Sequence, residues 1–274
     1  MNIKVVVKNL IWASVSKLLN LPKFIGRFYL YFREPSINDY LKMQSKYYTR
    51  TAKKTLVEPG NLINDKVVGT WKEHDSFDDY EFYLMKYVEP KGRFVALDFG
   101  CGPGRNIRRW SDWFLRIDGA DISSANIDNA QEFLQDQLPA HQIPNFYVTN
   151  GNDCGAAPSD TYDFVFSTIT LQHICSHQIR FAILMDIFRV LKPGGRISIQ
   201  MGYGTPSPAS VGYFENNFGA EGTNRSCDTQ IAHPSEPKSD FDKIGFSDFE
   251  YWIRPVGPGD SHPNWIYMTA TKPL

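Results

Sequence analysis

The chain has 274 residues, of which 42% are hydrophobic, and its formal net charge is -1. This composition supplies a full hydrophobic core and excludes an extended disordered chain, while the near-zero charge disfavours a general nucleic-acid-binding surface. The four cysteines show no C-x-x-C spacing, which argues against a zinc cluster or a disulfide framework and favours a reducing, cytoplasmic compartment.

Residues 1–90 are predicted to form a mainly helical arm and lid. An apolar stripe that includes Ile11, Val15 and Leu18 falls on one helical face. Residues 1–34 carry six basic side chains against one acid, which gives a net charge of +5. No apolar run reaches the ~18 residues that a membrane span needs, and lysines interrupt the stretch that a signal peptide would use. We therefore expect a cytoplasmic protein whose basic arm either packs against the domain or contacts an anionic membrane surface.

Residues 91–274 alternate short apolar runs with helical patterns. We predict strands at RFVALD, RIDGADI, NFYVTN, YDFVFS and GRISIQM, with helices after the first, second and fourth. This alternation predicts a parallel sheet with crossover helices on both faces.

The carboxyl-terminal part departs from this alternation. An insert at about 203–237 is rich in Gly, Pro, Ser and Asn, which is unlike a core element. A short helix from Ser239 to Ile244 follows, and then the strands FSDFEYWIRP and NWIYMTATK, joined by VGPGDSHP. These two strands must be antiparallel because their connection is too short for a crossover. The predicted fold is α/β: a Rossmann-like seven-stranded sheet, mostly parallel with an antiparallel final strand, with a helical N-terminal extension.

The stretch LDFGCGPGRN joins the first strand to a helix that begins near Asn106. Gly100, Gly102 and Gly104 let the chain turn sharply and approach a ligand, and a helix N-terminus forms the polar floor of many nucleotide pockets. The dinucleotide fingerprint requires a further glycine at the position of Arg105, so the spacing is G-x-G-x-G instead. A purely structural loop is the alternative interpretation.

Polar side chains follow the next two strands. Asp121 ends the second strand, 17 residues after Gly104, where a carboxylate can accept hydrogen bonds from both ribose hydroxyls. It could instead cap the following helix together with Ser123. After the third strand, Asn152 and Asp153 can present an amide or a carboxylate to an adenine edge, although an Asx turn would have the same sequence.

The order of these motifs resembles the class I S-adenosylmethionine-dependent methyltransferases. The glycine motif, the strand-end acid, G-N-D, D-F-V-F-S and L-K-P-G-G occur in the expected order over residues 93–202. The resemblance implies that S-adenosyl-L-methionine is the cofactor and that the chain carries a methyltransferase activity. It also implies a lid near Tyr47, Tyr48 and Arg50. The implied cofactor-binding residues are Tyr48, Asp98, Gly100, Cys101, Gly102, Gly104, Asn106, Asp121, Ile122, Asn152, Asp153 and Thr168.

Candidate catalytic residues lie at the same predicted sheet edge. His173 follows the fourth strand by six residues and could act as a general base, or could cap or pack. If His173 and His177 shared a helical face they could begin a metal site, but no third ligand is close in sequence and we expect no metal. Asp260 and His262 lie in the loop between the last two strands, where they could orient a hydroxyl acceptor or form a solvent-exposed turn.

Three functional hypotheses follow. The first is methyl transfer to an oxygen, less readily a nitrogen, of a small molecule or glycan, since aromatic and amide side chains of the insert, such as Tyr213, Phe214 and Asn216, suit a hydroxyl-rich acceptor. The second is a non-catalytic S-adenosylmethionine-binding sensor or scaffold. A dehydrogenase is disfavoured by Arg105. Nucleic-acid substrates are disfavoured because Ser167 and Thr168 stand where base methyltransferases carry an acid or amide followed by Pro-Pro.

Overall fold

The structure is a computed structural model that describes residues 35–56, 64–65, 69–70, 80–88, 92–206, 210–219, 228–255 and 263–274. The basic arm of residues 1–34 and the candidate residues Asp260 and His262 lie outside the described residues. The elements below belong to one compact unit, Ile37–Leu274. Among the described residues, no helix combines the length and the apolar character that crossing a bilayer requires.

Helices and strands are numbered along the chain. The helices are α1 (Ile37–Leu56), α2 (Tyr80–Tyr83), α3 (Arg105–Trp110), α4 (Ser124–Leu134), α5 (His177–Val190) and α6 (Ser235–Ile244). The strands are β1 (Asn64–Asp65), β2 (Gly69–Thr70), β3 (Val95–Phe99), β4 (Arg116–Asp121), β5 (Phe146–Val148), β6 (Tyr162–Ser167), β7 (Leu191–Tyr203), β8 (Ser210–Gly212), β9 (Asp228–Ile231), β10 (Ser247–Pro255) and β11 (Asn264–Thr271). Short 3-10 turns span Ser111–Trp113, Ala140–Gln142 and Leu171–His173.

The main sheet has the order β10-β11-β7-β6-β3-β4-β5. The pairs from β7 to β5 are parallel, whereas β11 pairs antiparallel with both β7 and β10. The predicted mostly parallel sheet with an antiparallel final strand is therefore confirmed, although the sheet has nine strands instead of seven because β8 and β9 join it. This strand order places the carboxyl ends of β3, β4 and β6 side by side. The polar residues that follow these strands therefore meet at one edge of the sheet.

Residues alternate between two hydrophobic clusters on the two faces of the sheet. Leu97 and Val165 face a cluster with the apolar stripe of α5, which includes Ile183. Their neighbours Ala96 and Phe164 face the opposite cluster, formed with α3 and α4. Helices therefore cover both faces, as the alternating pattern predicts.

The insert differs from the sequence prediction because it contributes two strands, β8 and β9. Strand β6 ends opposite Ile199, but β7 continues to Tyr203. Its edge on the β6 side would be left unpaired there, and β9 fills it by pairing Gln230 with Gly202. The following helix also begins at Ser235 rather than at Ser239, one turn earlier than predicted.

The N-terminal region also differs from a purely helical arm. Helix α1 is 20 residues long, but the run DDYEFYLMKYV yields only the four-residue helix α2. Strands β1 and β2 pair as a two-residue antiparallel ladder between these helices. Such short pairs add no new layer to the sheet.

Gly119 tests the packing of the central sheet. A Cβ atom at this position in β4 would lie 2.8 Å from Cys101 Sγ and 2.8 Å from a Phe146 ring carbon. We expect Gly119→Ala to lower the free energy of unfolding by about 1–3 kcal/mol, because a methyl group must be inserted into a filled core. Urea denaturation measures this change.

The matched control is Gly212→Ala in β8. There the new Cβ atom would first meet the flexible carboxylate of Glu215 at 3.3 Å. We expect a change within about 0.5 kcal/mol. Equal losses in the two variants would show that the cost is a general effect of substituting strand glycines.

Candidate active site

The glycine turn after β3 is held open by the backbone conformation of its three glycines. Gly100, Gly102 and Gly104 have φ values of 77°, 53° and 86°, which L-residues with side chains rarely adopt. A Cβ atom at Gly100 would lie 2.3 Å from the side chain of Thr170. The turn therefore closes against the segment that follows β6. Cys101 can offer only its backbone to a ligand at this turn, because its buried thiol points into the core beside Gly119.

Asp98 is a buried carboxyl group beside this turn. Its side chain is buried, and Oδ2 makes no hydrogen bond. Burial raises the pKa of Asp98 to about 8, a rise that the nearby Arg105 guanidinium opposes and the Asp121 carboxylate reinforces. An unsatisfied buried acceptor is costly, so Asp98 is a group that a cationic or hydrogen-bond-donating ligand would satisfy.

Asp121 connects the glycine turn to α4. Its Oδ2 accepts a hydrogen bond from the Gly102 N–H at 2.9 Å, and its Oδ1 accepts one from the Ser123 N–H at 2.8 Å. Ser123 itself caps α4, because its hydroxyl accepts the N–H of Asn126. The contact with ribose hydroxyls and the capping of the following helix are therefore compatible roles for Asp121, since each carboxylate oxygen can accept more than one hydrogen bond.

Asn152 and Asp153, the two candidate adenine contacts after β5, differ in their hydrogen bonds. Asp153 accepts hydrogen bonds from the N–H groups of Asn150 and Gly155, at 3.0 and 2.9 Å, and so braces its own loop. Asn152 is half-buried and makes no hydrogen bond within the described part of the chain. Its amide is available to a ligand, and the Asp153 carboxylate, like that of Asp121, could accept a further hydrogen bond beside its turn partners.

The segment after β6 carries local backbone strain. Ile169 has φ 49°, a conformation that a β-branched residue adopts only where the surroundings enforce it. On one side of it, the hydroxyl of buried Thr168 accepts the amide of Asn106 at 2.9 Å. On the other side, Thr170 packs on Gly100. These contacts tie the post-β6 segment to α3 and to the glycine turn.

Helix α1 lies across the same edge. The Tyr40 hydroxyl accepts the Cys175 N–H at 2.8 Å, and the Ser45 hydroxyl donates to the Ile122 carbonyl at 3.4 Å. Between them on this helix, Gln44 is 5% exposed and its amide nitrogen has no partner. The sequence analysis missed Gln44, although a lone amide within an apolar helical stripe is the signal that could have found it. Tyr48 is half-buried, one turn beyond.

His173 forms a hydrogen bond that sequence reasoning did not predict. Its Nδ1 lies 2.8 Å from Oδ1 of Asp228, the first residue of β9. Both side chains are partly exposed, at 18% and 24%. Because β9 begins directly beyond the end of β6, the insert delivers this carboxylate to the turn that carries His173. The chain places the two residues 55 positions apart, in an insert without a recognisable motif.

The interpretation of His173 and His177 as neighbours on one helical face is wrong. Ser176 caps α5, so His177 begins that helix while His173 lies in the preceding 3-10 turn. His177 Nε2 instead lies 2.7 Å from Oδ2 of buried Asp240. Within the described ranges, no three His, Cys, Asp or Glu side chains group as a metal site would require.

The aromatic wall expected from the insert is also partly used elsewhere. Tyr213 is buried and donates its hydroxyl to Asp240, while Asn216 accepts hydrogen bonds from Ser176 and from the Gln178 N–H. Both residues therefore hold the start of α5. Phe214 remains 46% exposed.

The loop with Asp260 and His262 begins and ends at the carboxyl edge. Pro255 pairs with Asn264, which in turn pairs with Tyr203 at the end of β7. Strand β10 therefore runs in the direction of the central strands. The roles of Asp260 and His262 stay predictions because both residues lie outside the described residues.

The described residues fit the S-adenosyl group that the resemblance implies. Asp98 offers an unpaired buried acceptor where an ammonium would lie, and the glycine turn leaves no side chain in the way of a ligand. Gly151 packs between Ile122 and Leu41 of α1, which supplies apolar walls at the expected adenine end. Asp121 lies at the adjoining strand end, where the resemblance expects the ribose.

Comparisons with known proteins agree with this geometry. Residues 97–199 match the family described as "Methyltransferase domain". The chain is 26% identical over 162 residues to O-methyltransferase rstn1 of Aspergillus nomiae, covering 55% of this chain and 70% of that protein. It is 32% identical over 138 residues to phosphoethanolamine N-methyltransferase 2 of Caenorhabditis elegans, covering 48% of this chain and 30% of that protein. The chain thus spans less than a third of the length of the second relative.

A solved structure shows the same fold at low sequence identity. Phosphoethanolamine N-methyltransferase 2 of Haemonchus contortus, in complex with phosphomonomethylethanolamine and S-adenosylhomocysteine, superposes with a TM-score of 0.57 and 17% identity. The superposition covers 87% of this chain and 60% of that chain. At this identity the likeness establishes the fold.

Asp121 provides a test of cofactor binding. We expect Asp121→Ala to weaken S-adenosylhomocysteine binding at least tenfold, about 1.4 kcal/mol, because the ribose hydroxyls lose their acceptor. Isothermal titration calorimetry measures the affinity.

The control for this test is Asp163→Ala at the amino end of β6. Asp163 also accepts a backbone N–H, from Val95 at 2.8 Å, and an ammonium, from Lys192 at 2.8 Å. Its loss removes comparable structural hydrogen bonds at the opposite edge of the sheet, so affinity should stay within twofold. A similar loss of affinity in both variants would mean that Asp121 acts only by stabilising the fold.

Asp98 predicts proton release on cofactor binding. With a pKa of about 8, its carboxyl group is mostly protonated in the free protein at pH 7. An ammonium placed beside it favours the ionised form, so binding should release close to one proton. Calorimetry at pH 7 in buffers of different ionisation enthalpy counts the protons released. Asp98→Asn should reduce this count towards zero, and equal proton release by both proteins would refute the placement of the ammonium.

The same pKa sets the direction of a stability change. Folding raises the Asp98 pKa above the ordinary 3.8, so the folded state holds more protons than the unfolded state between pH 3.8 and about 8. Stability from this group is therefore fully present below this window and is lost as the pH rises through it. Asp98→Asn should flatten this part of the pH profile in denaturation experiments.

Proposed function

We propose that this protein methylates a hydroxyl oxygen of a small molecule or glycan, since residues 97–199 match a methyltransferase domain and the sheet is mostly parallel and Rossmann-like. The observation that carries the proposal is the hydrogen bond between His173 and Asp228 at the carboxyl edge of the sheet. A hydroxyl acceptor benefits from a general base, whereas an acceptor that is already an anion does not need one.

When bound, S-adenosyl-L-methionine supplies an electrophilic methyl group on a positively charged sulfur. The residues proposed to hold it are the glycine turn, Asp98 for the ammonium, and Asp121 for the ribose. Ile122 and Asn152 would contact the adenine. Since the methyl group is already activated, the protein must chiefly align the acceptor oxygen with it and exclude water.

His173 is proposed to remove the acceptor proton. With Nδ1–H donating to Asp228, the Nε2 atom carries the lone pair and makes no hydrogen bond to a described residue. Asp228 would fix this tautomer and stabilise the imidazolium that forms when Nε2 takes the proton. The tautomer is assigned from the hydrogen-bond geometry.

Helix α1 is proposed to exclude water from the site. Tyr40 joins it to the chain beside His173, and Ser45 joins it to the strand-end segment at Ile122. The buried amide nitrogen of Gln44 lies on the same helix between these contacts and could donate to a ligand oxygen. We propose that Tyr48 contributes to this cover, as the resemblance implies, while Arg50 is exposed.

The acceptor class rests on chemistry and on one relative. The Aspergillus relative is named an O-methyltransferase, whereas the Caenorhabditis relative is named an N-methyltransferase. The base at His173 favours oxygen, because a neutral amine can attack without prior deprotonation. Asp260 and His262 remain proposed to orient the acceptor from the loop that follows β10.

The decisive experiment is a screen of phenols, alcohols and sugars for methyl transfer from isotopically labelled S-adenosylmethionine. With an active acceptor, His173→Asn and Asp228→Ala should each lower kcat at least about 100-fold, because general-base catalysis is lost. Affinity for S-adenosylhomocysteine should stay within twofold.

His177→Asn is the matched control, since it also breaks a histidine–aspartate pair, with Asp240. Its kcat should stay within threefold of wild type in folded protein. Full activity of the His173 variant would reject the general-base mechanism. Tight cofactor binding without transfer to any acceptor would favour the non-catalytic sensor or scaffold.

A further inference from the structure

We propose that Arg180 is a positioning residue that holds the His173–Asp228 pair in its productive geometry. This inference rests on the proposed general-base function of that pair. Arg180 lies in the first turn of α5 and its side chain is 1% exposed. Nothing in the sequence analysis assigned it a role.

The guanidinium of Arg180 joins three segments of the chain. It donates to the carbonyl of Ile174, to the hydroxyl of Thr229 at 2.7 Å and to the carbonyl of Tyr213. The Thr229 hydroxyl itself donates to the Ile174 carbonyl at 2.9 Å. The post-β6 turn, the chain after β8 and the start of β9 are thereby fixed to one rigid planar group.

Two of these contacts are adjacent to the pair itself. Ile174 follows His173 in the chain, and Thr229 follows Asp228. A shift of either segment relative to the other would therefore change the distance between the imidazole and the carboxylate. Since Arg180 contacts neither side chain of the pair directly, its effect must pass through the backbone of these two neighbours.

The burial of this cation supports a specific role. In the described part of the chain, Arg180 makes no hydrogen bond to a carboxylate, and its Nε atom has no partner. Burying a charge on neutral oxygen acceptors is costly, and burial lowers the pKa of the guanidinium. An apolar side chain would fill the space at lower cost but could not fix two carbonyls and a hydroxyl in register.

The first test needs no methyl acceptor. Long-range proton–nitrogen NMR spectra of histidine-labelled protein report the tautomer of each imidazole, and His173→Asn assigns the signal. We expect wild-type His173 to be almost wholly the Nδ1–H tautomer and Asp228→Ala to show a mixture. Arg180→Met and Arg180→Lys should shift His173 at least halfway towards that mixture.

The matched control is Arg189→Met on the same helix. Arg189 also bridges main chain and side chains, through the Ala157 carbonyl and Asp186, but at the far end of α5. It should leave the His173 spectrum unchanged. Thr229→Val removes one contact at nearly constant volume and should shift the tautomer in the same direction to a smaller extent. If the Arg180 variants do not fold, Thr229→Val decides the question.

A double-mutant cycle separates positioning from general stabilisation. Once an acceptor is known, Arg180→Met should lower kcat about tenfold in the wild-type background but less than twofold in Asp228→Ala. An equal factor in both backgrounds, or a wild-type His173 spectrum in the folded Arg180 and Thr229 variants, would overturn the inference. Failure to find any hydroxyl acceptor would reject the proposed function while leaving the tautomer result to judge Arg180.

Discussion

The early end of β6 is the constraint on which the candidate site depends. Strand β7 continues past Ile199, the partner of the last β6 residue, and so exposes an edge that must be paired. Strand β9 supplies that pairing and brings Asp228 to the place where the chain leaving β6 turns back into α5. The same early end leaves room for Thr168 to His173, where the candidate base lies. The difference in length between β6 and β7 thus leaves space for the candidate site and brings Asp228 to His173.

Buried polar groups without a hydrogen-bond partner occur at this edge of the sheet as well as elsewhere in the core. Asp98 and Gln44 each bury a polar atom without a partner, and Ile169 holds a backbone conformation that costs free energy. By contrast, the buried Tyr162 hydroxyl contacts Asp118 at 3.0 Å, away from the glycine turn. A ligand with an ammonium and hydroxyl groups would supply partners for Asp98 and Gln44.

The two histidine–aspartate pairs make similar contacts in different surroundings. His177 and Asp240 meet beside the rings of Tyr213 and Phe214, where the pair secures the start of α5. His173 and Asp228 meet at the carboxyl edge of the sheet, with the Nε2 atom of the imidazole open to a ligand. Arg180 is packed between the elements that carry these pairs, which is why we assign it to the geometry of the site.

The sequence by itself determined the parallel strands, the crossover helices and the glycine turn, because alternation and glycine spacing are local properties read within a few residues. It also located Asp98 beside the glycine turn, Asp121 at a strand end and His173 in the segment that follows β6. Only the tertiary structure decided that Asp153 braces its own loop, that His177 pairs with Asp240, and that Asp228 pairs with His173 beside the contact of Arg180 with Thr229. These outcomes depend on pairings between residues far apart in the chain, and in the insert no local pattern encodes which strand edge is left to fill.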